Sequence, residues 1–436
     1  MPRLSPFDGL VYDPAVSGPL ESVTAPPYDV ISDRVRLGYM RSSPFSVVHL
    51  DLADRPDDPE HLENRYAGAA SLIDEWMAQG VLRRSGGPRV YAYEMSQDGS
   101  GSGEGSAGAR GPRLGPHVVR GVICAMQIED WGGSVVPHEE VREGPVHDRL
   151  ELLRAIGTHL SPVYGMLDSD DGRIDEWVRA VAADPSPFDL VDEQGVRHRS
   201  WPVDAAVAAS LDLGRLEHAH LLIADGHHRY TTALRYRTER RAVDGHGPWD
   251  GVMTFVVGSS PDGPLVAPFH RVQVAGKPPS AEGRPAAGLT EALEALDDDD
   301  RTFATIVRTP DGAVAYTVRG LDGPAPTVRA LHAEVLDGLD ASSALRYVAE
   351  ASDADDAVRS GSAVAAYLLP PTTPGRIRAV VEEGVRLPQK STYFWPKPRT
   401  GMVMMPLDPR PVDRSSPPAP RRRETDRAEH QPDRAS

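Results

Sequence analysis

Asp225-Gly226-His227-His228-Arg229 gathers one carboxylate, two imidazoles and a guanidinium into five consecutive residues around a glycine. The apolar run Leu221-Leu222-Ile223-Ala224 precedes it and reads as a buried strand. From His228 the pattern becomes helical through Arg241, with Tyr230, Ala233, Leu234 and Arg237 on related faces. Asp225 is read as the helix cap and Gly226 as the turn residue. A helix start offers free N–H groups and the positive end of a dipole, so an anion fits there. Phosphate or carboxylate binding is the chemistry expected of this turn, with Gly226, His228, Arg229 and Tyr230 as its ligands and Asp225 as a metal ligand beside them. The plainer reading is that the imidazoles cap the helix and Arg229 pairs with a surface carboxylate.

A second acid–imidazole pair, His138-Glu139, stands upstream. With His147 as the next histidine it does not make H-E-x-x-H, which argues against a zinc protease. A loop His-Glu pair suits general-base work, or a salt bridge. The stiff Pro26-Pro27-Tyr28-Asp29 turn holds Tyr28 and Asp29 in an extended loop. His270-Arg271 ends an apolar run. Glu382 to Lys397 is dense in aromatic and cationic residues without helical period. Tyr28, Asp29, His138, His270, Arg271, Lys390 and Lys397 are the candidate substrate-loop residues.

Composition sets the limits. The chain has 436 residues and 40% hydrophobic content, enough for two or three cores. A net charge of −17 argues against a nucleic-acid partner. Cys124, the one cysteine, excludes an internal disulfide and fits a reducing cytoplasm; its apolar neighbours mark it as a buried strand thiol. No apolar run reaches bilayer length, and Met1 to Pro6 is followed by no signal-like stretch. A P-loop, a G-x-S-x-G elbow and a C-x-x-C pair are all absent. The G-x-G-x-x-G at Gly103, Gly105 and Gly108 sits in a Gly/Ser connector with no helix to follow, so it is not a dinucleotide site.

A mixed α/β (α+β) chain is expected around these motifs. Helices are predicted at 33–40, 59–80, 150–156, 174–182, 203–218, 290–296 and 330–339. Strands are predicted at 45–50, 90–95, 118–128, 161–167, 251–257, 265–272, 303–307, 313–318 and 363–369. Residues 1–275 form the expected N-terminal and central region and 276–407 a C-terminal α/β region, with Asp297–Asp300 a solvated turn. The tail from 408 is expected to be disordered.

Five stretches together resemble the domain of unknown function 1015 family (DUF1015): Ala25-Pro26-Pro27-Tyr28-Asp29-Val30-Ile31, the block from His138-Glu139 to Asp148-Arg149-Leu150, Ile223–Tyr230, Phe269-His270-Arg271, and Pro388–Lys397. Leu387 replaces the usual Met, and the Gly/Ser insertion and the tail are additions. The D-G-H-H-R turn is also similar, more distantly, to the phosphate-binding motif of the ParB/sulfiredoxin superfamily. Within it, free serine kinases carry a His-Glu before D-G-H-H-R, in the order of His138-Glu139 and Asp225–Arg229. That resemblance implies a ParB/sulfiredoxin-like phosphate-binding core and a small-molecule kinase. It would move a phosphoryl group from ATP or ADP, with Mg2+, to a hydroxyl, serine favoured. Glu139 would be the general base, Asp225 the helper of metal and phosphates, and His227 and His228 the further catalytic candidates. Two alternatives stand beside it: a non-catalytic nucleotide- or phosphometabolite-binding regulator, and a metal-dependent hydrolase using His227 and His228. The missing motif cysteine disfavours sulfiredoxin chemistry.

Overall fold

A computed structural model describes residues 3–53, 59–98, 116–216, 219–258, 263–280, 282–296, 302–309, 311–320, 344–384, 386–388 and 390–407. Most of the Gly/Ser connector, the Asp297–Asp300 turn, the helix expected at 330–339 and the tail from 408 lie outside these. The fold is mixed α+β.

Its centre is a nine-stranded sheet: β1 (Leu4–Ser5), β2 (Arg89–Gln97), β3 (His117–Gln127), β4 (Val135–Pro137), β5 (Val163–Leu167), β6 (Phe188–Val191), β7 (Arg197–Asp204), β8 (Leu221–Asp225) and β9 (Gly251–Val257). The order is β4-β8-β5-β9-β3-β2-β7-β6, with β1 beside β3. Period-2 alternation feeds two cores. Tyr91, Tyr93, Met95, Ile123, Leu222, Ala224, Met253 and Phe255 face one. Val90, Ala92, Val122, Cys124, Leu221, Ile223, Val252 and Val256 face the other. Burial on both faces explains why these strands read as unbroken apolar runs. Gly121 is where β3 has no room: a Cβ would meet Phe255 Cε2 at 2.4 Å and Val256 O at 2.5 Å. Gly121→Ala is therefore expected to lower stability by about 2–3 kcal/mol, read as a lower urea midpoint. An unchanged midpoint would mean that the strand shifts freely.

The helices used below are α1 (Asp33–Ser42), α2 (Pro59–Ala78), α3 (Glu143–Ile156), α4 (Arg173–Val181) and α5 (His227–Asp244). A six-stranded antiparallel sheet follows, built from β11 (His270–Ala275), β12 (Arg284–Ala286), β13 (Thr302–Arg308), β14 (Val314–Gly320), β15 (Ala344–Val348) and β16 (Ala365–Leu368). Helix α6 (Ala351–Arg359) packs on it, while α7 (Pro374–Glu382) joins the core of the central sheet through Ile377 and Val380. Between the sheets, β10 (Leu265–Pro268) pairs antiparallel with β17 (Thr392–Trp395).

Three expectations are corrected. Phe45–Leu50 is not a strand: it ends in a helical turn, Val48–Asp51, because Val47, Val48 and Leu50 are all buried and no single face is wet. Residues 265–272 are two strands in two sheets, broken at Phe269. Of the helix expected at 203–218, the described residues 203–216 begin in β7 and continue only as short helical turns. Cys124 is fully buried, as expected of a strand thiol. Among the described residues no helix is long and apolar enough to cross a membrane.

Candidate functional site

Strand register brings the two acid–imidazole motifs together. β4 runs parallel to β8, with Pro137 opposite Ile223. The residues leaving both strands, His138-Glu139 and Ala224-Asp225, therefore emerge side by side. Gly226 turns the chain with φ +94 and caps α5 without a side-chain bond. Asp225 is the last residue of β8 rather than the cap. The N–H groups of His227, His228 and Arg229 have no acceptor among the described residues.

A third segment closes the site. Leu387 N–H donates to the His138 carbonyl at 2.8 Å, and the chain then wraps Glu139. Oε1 of Glu139 accepts from Ser391 N (3.1 Å), Thr392 N (3.2 Å) and Thr392 Oγ1 (3.0 Å), and Oε2 accepts from Lys390 N (3.2 Å). Lys390 Nζ reaches Asp29 at 2.9 Å, and Lys397 pairs with Asp225 Oδ1. Arg229 takes the other Asp225 oxygen and donates to Pro162 O and, at 3.2 Å, to Ser161 Oγ. Its Nε–H has no partner among the described residues. These groups line a cleft in whose wall Phe269 and Glu140 also stand.

The electrostatics follow from burial and pairing. Burial opposes ionisation of Asp29, but Lys390, Lys397 and Arg229 outweigh it and hold its carboxyl well below the usual range. Burial likewise works against a charged Lys390, yet Asp29 keeps it protonated and raises its pKa. His227 is buried, and its Nε2 accepts the His138 N–H at 3.2 Å. An accepting Nε2 leaves the ring proton on Nδ1. Burial and the neighbouring His138 push its pKa well below the ordinary value. His228 is half-buried, its Nε2 accepts the Arg142 N–H at 3.1 Å, and burial lowers its pKa too. Both imidazoles thus tie the Glu139 loop to the helix. Among the described residues no group of three or more His, Cys, Asp or Glu is placed to hold a metal ion.

A family model described as a protein of unknown function (DUF1015) matches residues 4–283. The chain is a DUF1015 protein. No curated protein matches it. Among solved structures it is similar to a conserved hypothetical protein from Pyrococcus furiosus, at 16% identity over 60% of this chain and 87% of that one, TM-score 0.33. It is also similar to a free serine kinase in complex with AMP, at 14% identity over 60% and 83%, TM-score 0.33. SbnI with a C-terminal truncation from Staphylococcus aureus gives 12% identity over 60% and 79%, TM-score 0.33.

Of the residues singled out from sequence, this DUF1015 protein brings Tyr28, Asp29, Glu139, Asp225, Gly226, His227, His228, Arg229 and Lys390 to the cleft wall. Lys397 reaches it through Asp225. His138 is fully buried behind it, with Nδ1 2.7 Å from Ile223 O and Nε2 2.8 Å from Thr392 Oγ1. Tyr230 is elsewhere: its hydroxyl donates to Glu129 O at 2.7 Å and its ring packs on Trp131, inside the core. His270 and Arg271 are buried in β11, not in the cleft wall; His270 Nδ1 accepts from Leu369 N at 3.2 Å. Sequence reading missed Ser391 and Thr392. The only local signal was their place between Lys390 and Lys397.

Proposed function

We propose that the cleft binds the phosphates of a nucleotide and transfers a phosphoryl group to a hydroxyl acceptor. The observation that carries this reading is the uncapped first turn of α5. Three N–H groups without acceptors and the Arg229 Nε–H open beside Lys390, which is buried and held protonated by Asp29, with Lys397 behind Asp225. Phosphoryl transfer asks for positioning and charge neutralisation more than covalent chemistry, and these groups supply both. The phosphate oxygens would take the α5 amides, Arg229 and the lysines, which Asp29 and Asp225 hold in position. Glu139 Oε2 accepts only one hydrogen bond and lines the cleft, so it retains a lone pair for the acceptor proton. The new bond joins the acceptor oxygen to the terminal phosphorus, the P–O bond to the donor nucleotide breaks, and the hydroxyl proton goes to Glu139. Serine is the acceptor and ATP or ADP the donor that the motif resemblance favours. His227 and His228 position Glu139 by gripping its loop; with both Nε2 atoms spent on amides they are not a metal pair, which removes the basis of the hydrolase reading. A Mg2+ ion accompanying the nucleotide needs only one or two carboxylates. Asp225 would supply one, sharing its carboxylate with Lys397 and Arg229.

A second reading, a binding site without turnover, is favoured by the four hydrogen bonds that already occupy Glu139. The variants separate the two. Arg229→Ala should weaken ADP binding about tenfold by calorimetry, through the loss of its charge-assisted donor. Glu139→Gln should leave ADP affinity within twofold yet cut phosphoserine formation, followed by phosphorus NMR, on the order of a hundredfold. Asp225→Asn should impair both. Unchanged turnover in Glu139→Gln would leave only the binding site; unchanged affinity in Arg229→Ala would sink the phosphate assignment.

A further inference from the structure

A second cavity lies against the cleft, with Tyr28 and Arg229 in the wall of both. Its inner wall combines apolar surface from α3, including Leu153 and Ile156, with polar groups whose bonding is incomplete. Asp51 is 6% exposed; its Oδ1 accepts from Arg149 at 2.6 Å, while Oδ2 has no partner among the described residues. His159 is 9% exposed, and its Nε2 also has no partner. The hydroxyls of Thr158 and Thr232 already donate to the carbonyls of Ile156 (3.1 Å) and Val146 (3.4 Å), so they turn only lone pairs to a ligand. The inner end therefore accepts hydrogen bonds and offers almost none. Buried acceptors left open are costly, and a ligand that brings donors relieves that cost.

The charges around Asp51 set the kind of donor. Arg149 divides its guanidinium between Asp51 and Asp148, the latter also held by Arg65. Arg229, the other cation in this wall, is engaged by Asp225. The bare oxygen of Asp51 is thus a carboxylate acceptor amid cations already spent, and a charged amino group bonds such an oxygen more strongly than a hydroxyl does. On the shared wall the pattern reverses, because Arg229 still offers its Nε–H.

Building on the phosphoryl-transfer reading of the cleft, we propose that this cavity is the acceptor subsite and takes a small compound bearing both an amino group and a hydroxyl. The amino group sits on Asp51 Oδ2 and the hydroxyl turns to the wall shared with the cleft. The test is calorimetry on the full chain with ethanolamine and L-serine as probes and ethylene glycol as the control without an amino group. Both amino alcohols should bind at least tenfold more tightly than the glycol. Asp51→Asn should lower their affinity at least tenfold and leave ADP binding within twofold. Because Asp51 also pairs with Arg149, Thr232→Leu, which fills the cavity from α5 and leaves that pair intact, should give the same loss. Equal binding of the glycol, or amino-alcohol affinity unchanged in Thr232→Leu, overturns the proposal. ADP titrated alone tests the cleft reading separately, since loss of ADP binding with amino-alcohol binding retained would fault only that reading.

Discussion

Replacing Lys397 by methionine is expected to lower ADP affinity about a hundredfold and to cost about 2–4 kcal/mol of folding stability. Lys397 is only 7% exposed, and its ammonium pairs with Asp225 while lying over the Tyr393 ring at 5.3 Å. Methionine keeps most of the stem's packing and deletes the charge, so the loss reports electrostatics rather than a void. Asp225 retains Arg229 on its other oxygen, which keeps the stability cost toward the lower end of the range for a broken buried pair. Affinity should fall further, because one of the two cleft lysines has gone. Adding Asp225→Asn should recover none of the stability, since the buried Arg229 then loses its carboxylate, and none of the affinity. Thermal melts and ADP calorimetry on the single and double variants measure the two effects apart. Full affinity in Lys397→Met would reduce that lysine to a structural counter-ion and remove a main support of the phosphate site.

The sequence reveals the parts of this site that are local and hides those that depend on distant backbone. The Leu221–Ala224 run, the Gly226 turn and the helix behind it form a contiguous signal, and the structure has a strand, a left-handed glycine and an 18-residue helix there. The helix at Pro59–Ala78 and the pairing of Arg89–Gln97 with His117–Gln127 are equally readable from their periods. Tyr230 adjoins the charged residues of the turn in sequence but not in space. It lies three residues after the buried His227 and three before the buried Ala233, so helical geometry turns it inward. The fixing of Glu139 by the amides of 390–392 has no sequence signature, since backbone donors carry no residue identity. The proximity of Glu139 to Asp225 comes from the parallel pairing of β4 and β8, which nothing within either segment specifies.

Acidification is expected to unfold this protein through its histidines before its carboxylates titrate. His138, His159, His198, His227 and His270 are all buried, and burial is the leading cause of a lowered pKa in each; for His159 and His270 it falls to about 4. Above about pH 6.5 these imidazoles are neutral in both the folded and unfolded chain, so they contribute no pH dependence. Below it the unfolded chain takes up protons that the folded chain refuses, and stability falls as pH drops. Each such histidine contributes a slope of up to about 1.4 kcal/mol per pH unit, and His159 and His270 each reach on the order of 3 kcal/mol by pH 4. Asp51, whose pKa burial raises, runs the other way and offsets part of the loss. Asp29 and Asp192, both held low by their cationic neighbours, add their share only near and below the ordinary carboxylate value of 3.8. Urea midpoints should therefore be level from pH 8 to 7 and fall steeply from 6.5 to 4.5. His270→Gln keeps an acceptor within reach of the Leu369 N–H and should flatten that slope by one proton. A midpoint that stays level down to pH 5 in the unaltered chain would show that these imidazoles are protonated in place, and with them the neutral His227 that grips the Glu139 loop.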